Sequence, residues 1–145
     1  MLHHVALELD PADLPRAREF WRLLGYVEVE PPPSLAGRTV WLEPGPAPDI
    51  AASPTQIHLI PRDTPAAPPT PGPDPAAVER PSPAVERPAP AGHAAILVPG
   101  YAERLGELRR HEFEVRDRRP HWGAPRAFAA HPGGHTIELM AAPPM

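Results

Sequence analysis

Hydrophobic and polar residues alternate over residues 5–9, and a helical spacing of apolar residues follows. The alternation has the period of a half-buried strand, and apolar residues three or four positions apart over 14–24 predict a helix. Asp13 is the predicted N-cap of this helix and Gly25 its predicted end. Further strands are predicted over 26–30, 38–43 and 55–60.

The same order of patterns returns in the second half of the chain. Strands are predicted over 92–98, 113–117, 125–130 and 135–140, and a helix over 101–110. His131-Pro132-Gly133-Gly134 has the residues of a tight type II turn. A single βαβββ unit leaves one face of its sheet uncovered. We therefore expect an α+β fold in which two modules, 1–62 and 92–145, pair to form one open, cup-like β-barrel.

Residues 63–91 differ from both modules in composition. The chain has 26 prolines, and this segment is rich in them and almost without bulky apolar residues. It is predicted to be an extended linker. A lengthened connection is the preferred interpretation, and a docking segment for a proline-binding module is the alternative.

Composition excludes several classes of function. The chain has no cysteine, which rules out disulfides, thiolate zinc sites and a thiol nucleophile. Its net charge is −4 without a basic run, so no nucleic-acid partner is expected. Apolar runs are too short to cross a membrane, and a signal-peptide pattern is lacking, so a cytoplasmic protein is expected.

Strand parity sorts the candidate functional residues. Successive side chains of a strand point to opposite faces, so His4, His58, His93 and Glu138 are predicted to point away from the apolar residues that pack under the helices. Three imidazoles and one carboxylate suit one divalent transition ion: Zn, Ni, Fe(II), Mn or Co. His58 is either a fourth ligand or a hydrogen-bonding or acid–base group beside the ion.

Other residues are assigned to substrate and proton transfer. Arg126 is predicted to hold an anionic group of the substrate, with a solvated arginine as the equal alternative. Trp41, Trp122 and Tyr26 are candidates for the lining of a pocket. Glu138 and His58 are the candidates for the general base, since a ligand that releases the ion can accept a proton.

Several short segments together resemble the vicinal oxygen chelate superfamily, which includes glyoxalase I, fosfomycin-modifying enzymes and extradiol dioxygenases. The segments are His4-Val5-Ala6-Leu7, Arg16-Ala17-Arg18-Glu19-Phe20-Trp21, Leu24-Gly25-Tyr26, Gln56-Ile57-His58-Leu59, Gly92-His93-Ala94 and the run from Phe128 to Leu139. The resemblance covers nearly all of the chain outside the linker. It implies the paired-module cup, with metal positions at His4, His58, His93 and Glu138.

The resemblance also implies an activity. It points to a metal-dependent enzyme of lyase or isomerase type that acts on a small molecule chelating the ion through vicinal oxygens. The alternatives are an Fe(II) extradiol-type dioxygenase and a non-catalytic protein that binds an antibiotic or metabolite. A homodimer is expected, although the cup could form within one chain or across two. His58 stands where glyoxalase I has Glu, and His131 replaces the usual Asp of the last turn, for which only a local effect is expected.

Overall fold

The computed structural model describes residues 3–46, 55–62, 92–121 and 123–141. The predicted linker 63–91 and Trp122 lie outside the described residues, and the module boundaries 1–62 and 92–145 stay predictions. The helices and strands are β1 His4–Leu9, α1 Leu14–Leu23, β2 Tyr26–Val29, β3 Val40–Pro44, β4 Gln56–Pro61, β5 Ala94–Leu97, α2 Tyr101–Arg110, β6 Val115–His121, β7 Ala124–His131 and β8 His135–Met140. Neither described helix is long and apolar enough to span a membrane.

The eight strands form two four-stranded sheets with the same strand order. The order is β1-β4-β3-β2 in the first sheet and β5-β8-β7-β6 in the second. In each sheet the first strand runs parallel to the last one in sequence, and the other pairs are antiparallel. We call β1–β4 with α1 module 1, and β5–β8 with α2 module 2. The predicted α+β fold of two βαβββ modules is confirmed.

Both ends of α1 lie where the sequence predicts, but its start is capped differently. Asp13 is the N-cap residue, yet its side chain makes no capping hydrogen bond. Asp10 instead accepts a hydrogen bond from the backbone of Ala12 and caps a short 3₁₀ turn that leads into the helix. Gly25 follows the helix with φ +90°, a conformation that favours glycine.

One hydrophobic core joins both modules. Its largest fully buried side chains come from α1, α2 and the helix-facing sides of both sheets; they are Leu9, Phe20, Trp21, Ile57, Leu59, Leu108, Ile137 and Leu139. The opposite side of each sheet carries the other set of side chains, because the strands alternate. We call this uncovered side the open face of each module.

His131 lies at the contact between the modules, where it is buried. Its Nε2 accepts a hydrogen bond from Trp21 Nε1 at 3.0 Å, and Phe20 packs edge-on against its ring. Burial lowers the pKa of His131 to about 3, and the nearby His135 adds to this effect. The expectation that His131 has only a local effect in its turn is wrong, because its side chain connects β7 to α1.

The turn after His131 also touches module 1. His135 Nε2 donates a hydrogen bond to the carbonyl oxygen of Glu8 at 2.6 Å. Gly133 approaches Leu9 so closely that a Cβ on it would lie 2.7 Å from the Leu9 Cβ, and its φ is +94°. A glycine is therefore required at this position both by the backbone conformation and by the neighbouring strand.

Candidate metal centre

The four predicted donors lie on the open faces, as strand parity indicates, and they form two pairs. His4 and His58 belong to module 1, whereas His93 and Glu138 belong to module 2. In β1 and β8 the residues that point to the opposite face, such as Leu7 and Ile137, are buried on the helix side. His4 and His58 lie on the first and last strands of module 1, which are adjacent in the sheet. In module 2, Glu138 lies on the last strand, whereas His93 lies one residue before the first strand, which begins at Ala94 and not at residue 92 as predicted.

Three aromatic rings are stacked on the open face of module 1. The ring of His58 lies between those of Trp41 and His4, with centroid distances of 4.1 Å and 4.3 Å and interplanar angles of 8° and 9°. Trp41 is directly opposite His58 in the antiparallel ladder, which places the two rings face to face. Trp41 therefore covers one side of the His58 ring, and its role in lining a pocket stays a prediction.

This stack decides how many of its imidazoles can hold one ion. The lone pair of an imidazole nitrogen lies in the plane of its ring, and a transition ion sits about 2.0–2.1 Å from that nitrogen. Two parallel rings that far apart cannot both direct their lone pairs at one ion. In the observed arrangement, therefore, only one of His4 and His58 is available to a shared ion.

The surroundings of His58 and His4 differ. The side chain of His58 is only 8% exposed, and its Nε2 lies 3.0 Å from Gln56 Oε1. The amide nitrogen of Gln56 donates to Glu43, so the amide oxygen is directed at His58, and Nε2 carries the proton. Burial lowers the pKa of His58, as do the neighbouring His4 and His3, so the ring is neutral with Nδ1 as its basic nitrogen. His4, by contrast, is exposed.

The pair in module 2 is held by charge instead of stacking. His93 Nε2 lies 2.8 Å from Glu138 Oε2, and Arg126 Nη1 donates to Glu138 Oε1 at 2.6 Å. Glu138 is 6% exposed, and Arg126 is itself anchored through Nε to the carbonyl oxygen of Arg119. The carboxylate is thus fixed by one arginine and directed at one imidazole.

Two opposing effects set the protonation of Glu138. Its burial favours the neutral acid, but the hydrogen bonds from Arg126 and His93 outweigh burial and lower the pKa of the carboxyl group. Glu138 is therefore ionised at neutral pH. This state suits a metal ligand, whereas a carboxylate with a lowered pKa is a weak base.

Within one chain the two donor pairs do not gather. Among the residues that the structure describes, no group of three or more His, Cys, Asp or Glu side chains is close enough to hold a metal ion. The donor set nevertheless fits a borderline divalent ion by its chemistry, since imidazole nitrogen and carboxylate oxygen are ligands of such ions and His93 Nε2 lies 2.8 Å from Glu138 Oε2. One pair alone offers too few ligands for the usual four-coordinate site.

The remaining predicted residues have different outcomes. Arg126 points to the open face, but it contacts Glu138. Tyr26 is wrong as a pocket residue, because it packs on Trp21 at the helix side of the sheet. Trp122 lies outside the described residues.

Two residues that the sequence prediction did not single out also lie on the open face of module 2. Arg118 and Phe128 contact each other there. The prediction ended β6 at residue 117, whereas the strand continues to His121, so Arg118 was placed in a loop. Strand parity applied to the longer strand would have found Arg118.

Comparison with known proteins identifies the fold. No protein family model matches the sequence, and no curated protein matches it. Among solved structures, a candidate glyoxalase family protein from Bacillus anthracis is 21% identical, with a TM-score of 0.65 over 97% of this chain and 93% of the other. A glyoxalase/dioxygenase from Nostoc punctiforme is 18% identical, with a TM-score of 0.64 over 99% and 92%.

A third similar structure was solved with ligands. The fosfomycin resistance protein FosX from Listeria monocytogenes, in complex with Mn(II) and a sulfate ion, is 13% identical, with a TM-score of 0.60 over 98% of this chain and 89% of that protein. All three proteins share the paired-module fold with this chain. The predicted resemblance to the vicinal oxygen chelate superfamily is therefore confirmed at the level of the fold.

Proposed function

We propose that this protein, which has the fold of glyoxalases and fosfomycin resistance proteins, is a divalent-metal enzyme of lyase or isomerase type. One ion is held by His4 of one chain and by His93 and Glu138 of a second chain. The substrate is a small molecule that chelates the ion through two neighbouring oxygens. The observation that carries the proposal is the presence of two incomplete donor pairs on two open faces. A cytoplasmic location stays a prediction.

The stacked rings support the choice of His4 over His58 as the ligand from module 1. His58 is fixed on both faces by Trp41 and His4 and at its edge by Gln56. His4 is exposed, its ring stacks on His58 on one face, and its Nδ1 lies 3.1 Å from Nδ1 of His3, which is also exposed. It is therefore held less firmly than His58 and can turn toward an ion. Together with His93 and Glu138 it makes two imidazoles and one carboxylate, a triad that leaves coordination positions open for substrate.

An exposed apolar residue on each open face supports a site shared between two chains. Val27 and Leu97, the exposed large hydrophobic residues among those described, are 48% and 54% exposed and lie on the two open faces, where a partner would cover them.

We assign a different role in the reaction to each residue around the ion. When bound, the ion polarises a substrate oxygen as a Lewis acid. His58 is the proposed general base, because its ring is neutral and its Nδ1 can accept a proton from a substrate carbon or oxygen. Glu138 binds the ion and does not transfer protons, since its ionic pair with Arg126 lowers its pKa. Trp41 keeps water from one side of His58.

Mixing two inactive variants tests the shared site. His4→Ala removes the donor of module 1, and Glu138→Gln removes a donor of module 2. Each variant alone should bind no ion tightly. A mixed dimer has one site with both defects and one site with none, so an equal mixture that exchanges subunits should recover about a quarter of the wild-type capacity for Zn²⁺ or Mn²⁺. Equilibrium dialysis with metal analysis measures this capacity.

The outcomes of the mixing experiment are distinct. If His4 and Glu138 of the same chain contribute to one site, mixing the two variants restores no metal binding, and the proposal of a shared site is wrong. If either variant alone retains wild-type affinity, the assigned ligands are wrong. A charge-matched variant outside the open faces, Glu107→Gln, should bind the metal as the wild type does.

An Fe(II) dioxygenase is the second candidate, because His4, His93 and Glu138 also match the two-histidine, one-carboxylate pattern of such enzymes. Oxygen uptake that requires both iron and a catechol would favour it over a lyase or isomerase. A small-molecule affinity that a chelator does not change, without turnover under any metal, would instead indicate a binding protein.

A further inference from the structure

We propose that Arg118, seated on the ring of Phe128, binds an anionic group of the substrate, and that Arg126 does not. The substrate class is then a small molecule with a phosphate, phosphonate, sulfate or carboxylate group beside the oxygens that reach the ion. This inference rests on the proposed function, because Arg118 lies on the same open face as the donor pair of module 2.

Arg126 has little capacity left for a substrate. Its Nη1 donates to Glu138 Oε1 at 2.6 Å, and its Nε donates to the carbonyl oxygen of Arg119 at 2.8 Å. Its side chain is only 15% exposed. A substrate anion on Nη1 would compete with the buried carboxylate of Glu138, and an unpaired buried carboxylate is costly.

Arg118 has the opposite properties. It is exposed, and its guanidinium carbon lies 4.8 Å from the centroid of the Phe128 ring. Within the described residues, no carboxylate pairs with Arg118, whereas its neighbours Arg109 and Arg116 pair with Asp117 and Glu114. The ring of Phe128 supports the guanidinium without neutralising its charge, so its hydrogen-bond donors remain available.

The sheet register adds a reason why an anion belongs here. Arg118 is directly opposite Arg126 in the ladder between β6 and β7. Two like charges in this position destabilise a sheet. Glu138 compensates the charge of Arg126, but the charge of Arg118 is uncompensated in the described part of the chain. An anion bound to Arg118 would remove this imbalance, while the net charge of −4 on the whole chain argues against unspecific anion binding.

Phe128 connects this position to the donor pair. The ring of His93 lies 5.1 Å from the ring of Phe128, which is directly opposite Glu138 in the ladder between β7 and β8. Arg118 and His93 thus contact the same aromatic ring. A substrate anion on Arg118 would lie beside the same ring as the donor pair, so we expect a small substrate to reach both.

Titration with inorganic phosphate into the metal-free protein tests the role of Arg118. The titration is run at an ionic strength of about 0.1 M, where the Debye length is about 10 Å, and is followed through the Nε–Hε signals of the arginines in ¹H–¹⁵N spectra. The wild type should show saturable shifts of the Arg118 signal, and Arg118→Gln should weaken phosphate binding about tenfold or more, because the charge-assisted donors are lost. Sulfate and acetate titrated in parallel show which oxyanion geometry the site prefers.

Arg116→Gln is the matched control. It removes the same charge from the same strand and the same face, but from a guanidinium that is already paired with Glu114. It should change phosphate affinity less than about threefold, as a long-range charge effect does at moderate screening. Absence of saturable binding in the wild type, or equal losses in both variants, would overturn the assignment of Arg118.

Failure of this assignment and failure of the proposed function can be told apart. The phosphate titration uses no metal, and the mixing experiment uses no anion. Arg118→Gln should leave the capacity for Zn²⁺ or Mn²⁺ unchanged. Phosphate binding by Arg118 together with a failed mixing experiment would support the anion site and reject the shared metal site. Restored metal binding in the mixture without phosphate binding by Arg118 would support the metal site and reject the anion site.

Discussion

The two modules have the same fold and strand order, but they hold their donor pairs by different forces. In module 1 the imidazoles of His4 and His58 are stacked with Trp41. In module 2 His93 and Glu138 are linked by a hydrogen bond, and Arg126 neutralises the carboxylate. The duplicated backbone therefore fixes where donors are placed, whereas the residues beside them decide whether a donor carries charge.

The largest effect is expected at the contact that keeps both modules in one core. His131 is neutral when folded, with a pKa of about 3, and has an ordinary pKa of 6.5 when unfolded. The unfolded chain binds more protons between these values, so the free energy of unfolding should fall by about 4 kcal/mol as the pH drops from 7 to 3. Urea unfolding at several pH values measures this loss.

His131→Gln removes the titration but retains an acceptor for Trp21 Nε1, so it should flatten the pH dependence below pH 6.5. His111→Gln, at the contact with Glu19 on the other side of the helices, also removes one histidine and serves as the control. An unchanged slope in His131→Gln would show that His131 is not the group responsible for acid sensitivity.

A smaller effect is expected from the group that supplies charge in module 2. Arg126→Gln removes the ion pair of Glu138, and outer groups that orient a ligand typically contribute about 10–100-fold to metal affinity. The pKa of Glu138 should rise, so Zn²⁺ binding should be lost at a higher pH than in the wild type. Calorimetric titration with Zn²⁺ between pH 5 and 8 measures both changes.

Arg126→Lys is the matched comparison, since it keeps the positive charge but loses the hydrogen bond to the carbonyl oxygen of Arg119. Its pH dependence of Zn²⁺ binding should be close to that of the wild type, whereas its affinity should lie between those of Arg126→Gln and the wild type. Identical affinities for Arg126→Gln and the wild type would mean that Glu138 does not depend on Arg126.

The smallest effect on metal affinity is expected in module 1. His58→Gln should leave the affinity for Zn²⁺ or Mn²⁺ within about threefold of the wild type, because His58 is not among the proposed ligands. Once a substrate is known, its turnover should fall by about 10²–10⁴-fold, the usual contribution of a positioned acid–base group. A loss of metal affinity as large as that of His4→Ala would instead make His58 a ligand and contradict the proposed division.

Much of the fold can be predicted from the local spacing of apolar residues. The periods of two and 3.6 residues located each α-helix and strand that the structure describes, with α2 and β8 placed to the residue. Parity also put all four donors on open faces. Both results depend on neighbours within a few positions, which a single sequence contains.

What could not be predicted depends on register and on contacts between distant residues. The stack of Trp41 on His58 requires the ladder between β3 and β4, and the bond of Arg126 to Glu138 requires the ladder between β7 and β8. His131 seemed a surface turn residue because Pro and two Gly follow it. Only the packing of that turn on α1 and β1 buries it.

The stack on the open face of module 1 has a stereochemical consequence. Both faces of the His58 ring are covered, by Trp41 on one side and His4 on the other, so its Nδ1 is accessible only along the edge of the ring. If His58 is the general base proposed above, it accepts or returns a proton only along this edge. A substrate fixed on the ion would then exchange its proton on the one side that faces the edge, so we expect a new stereocentre to form with one handedness.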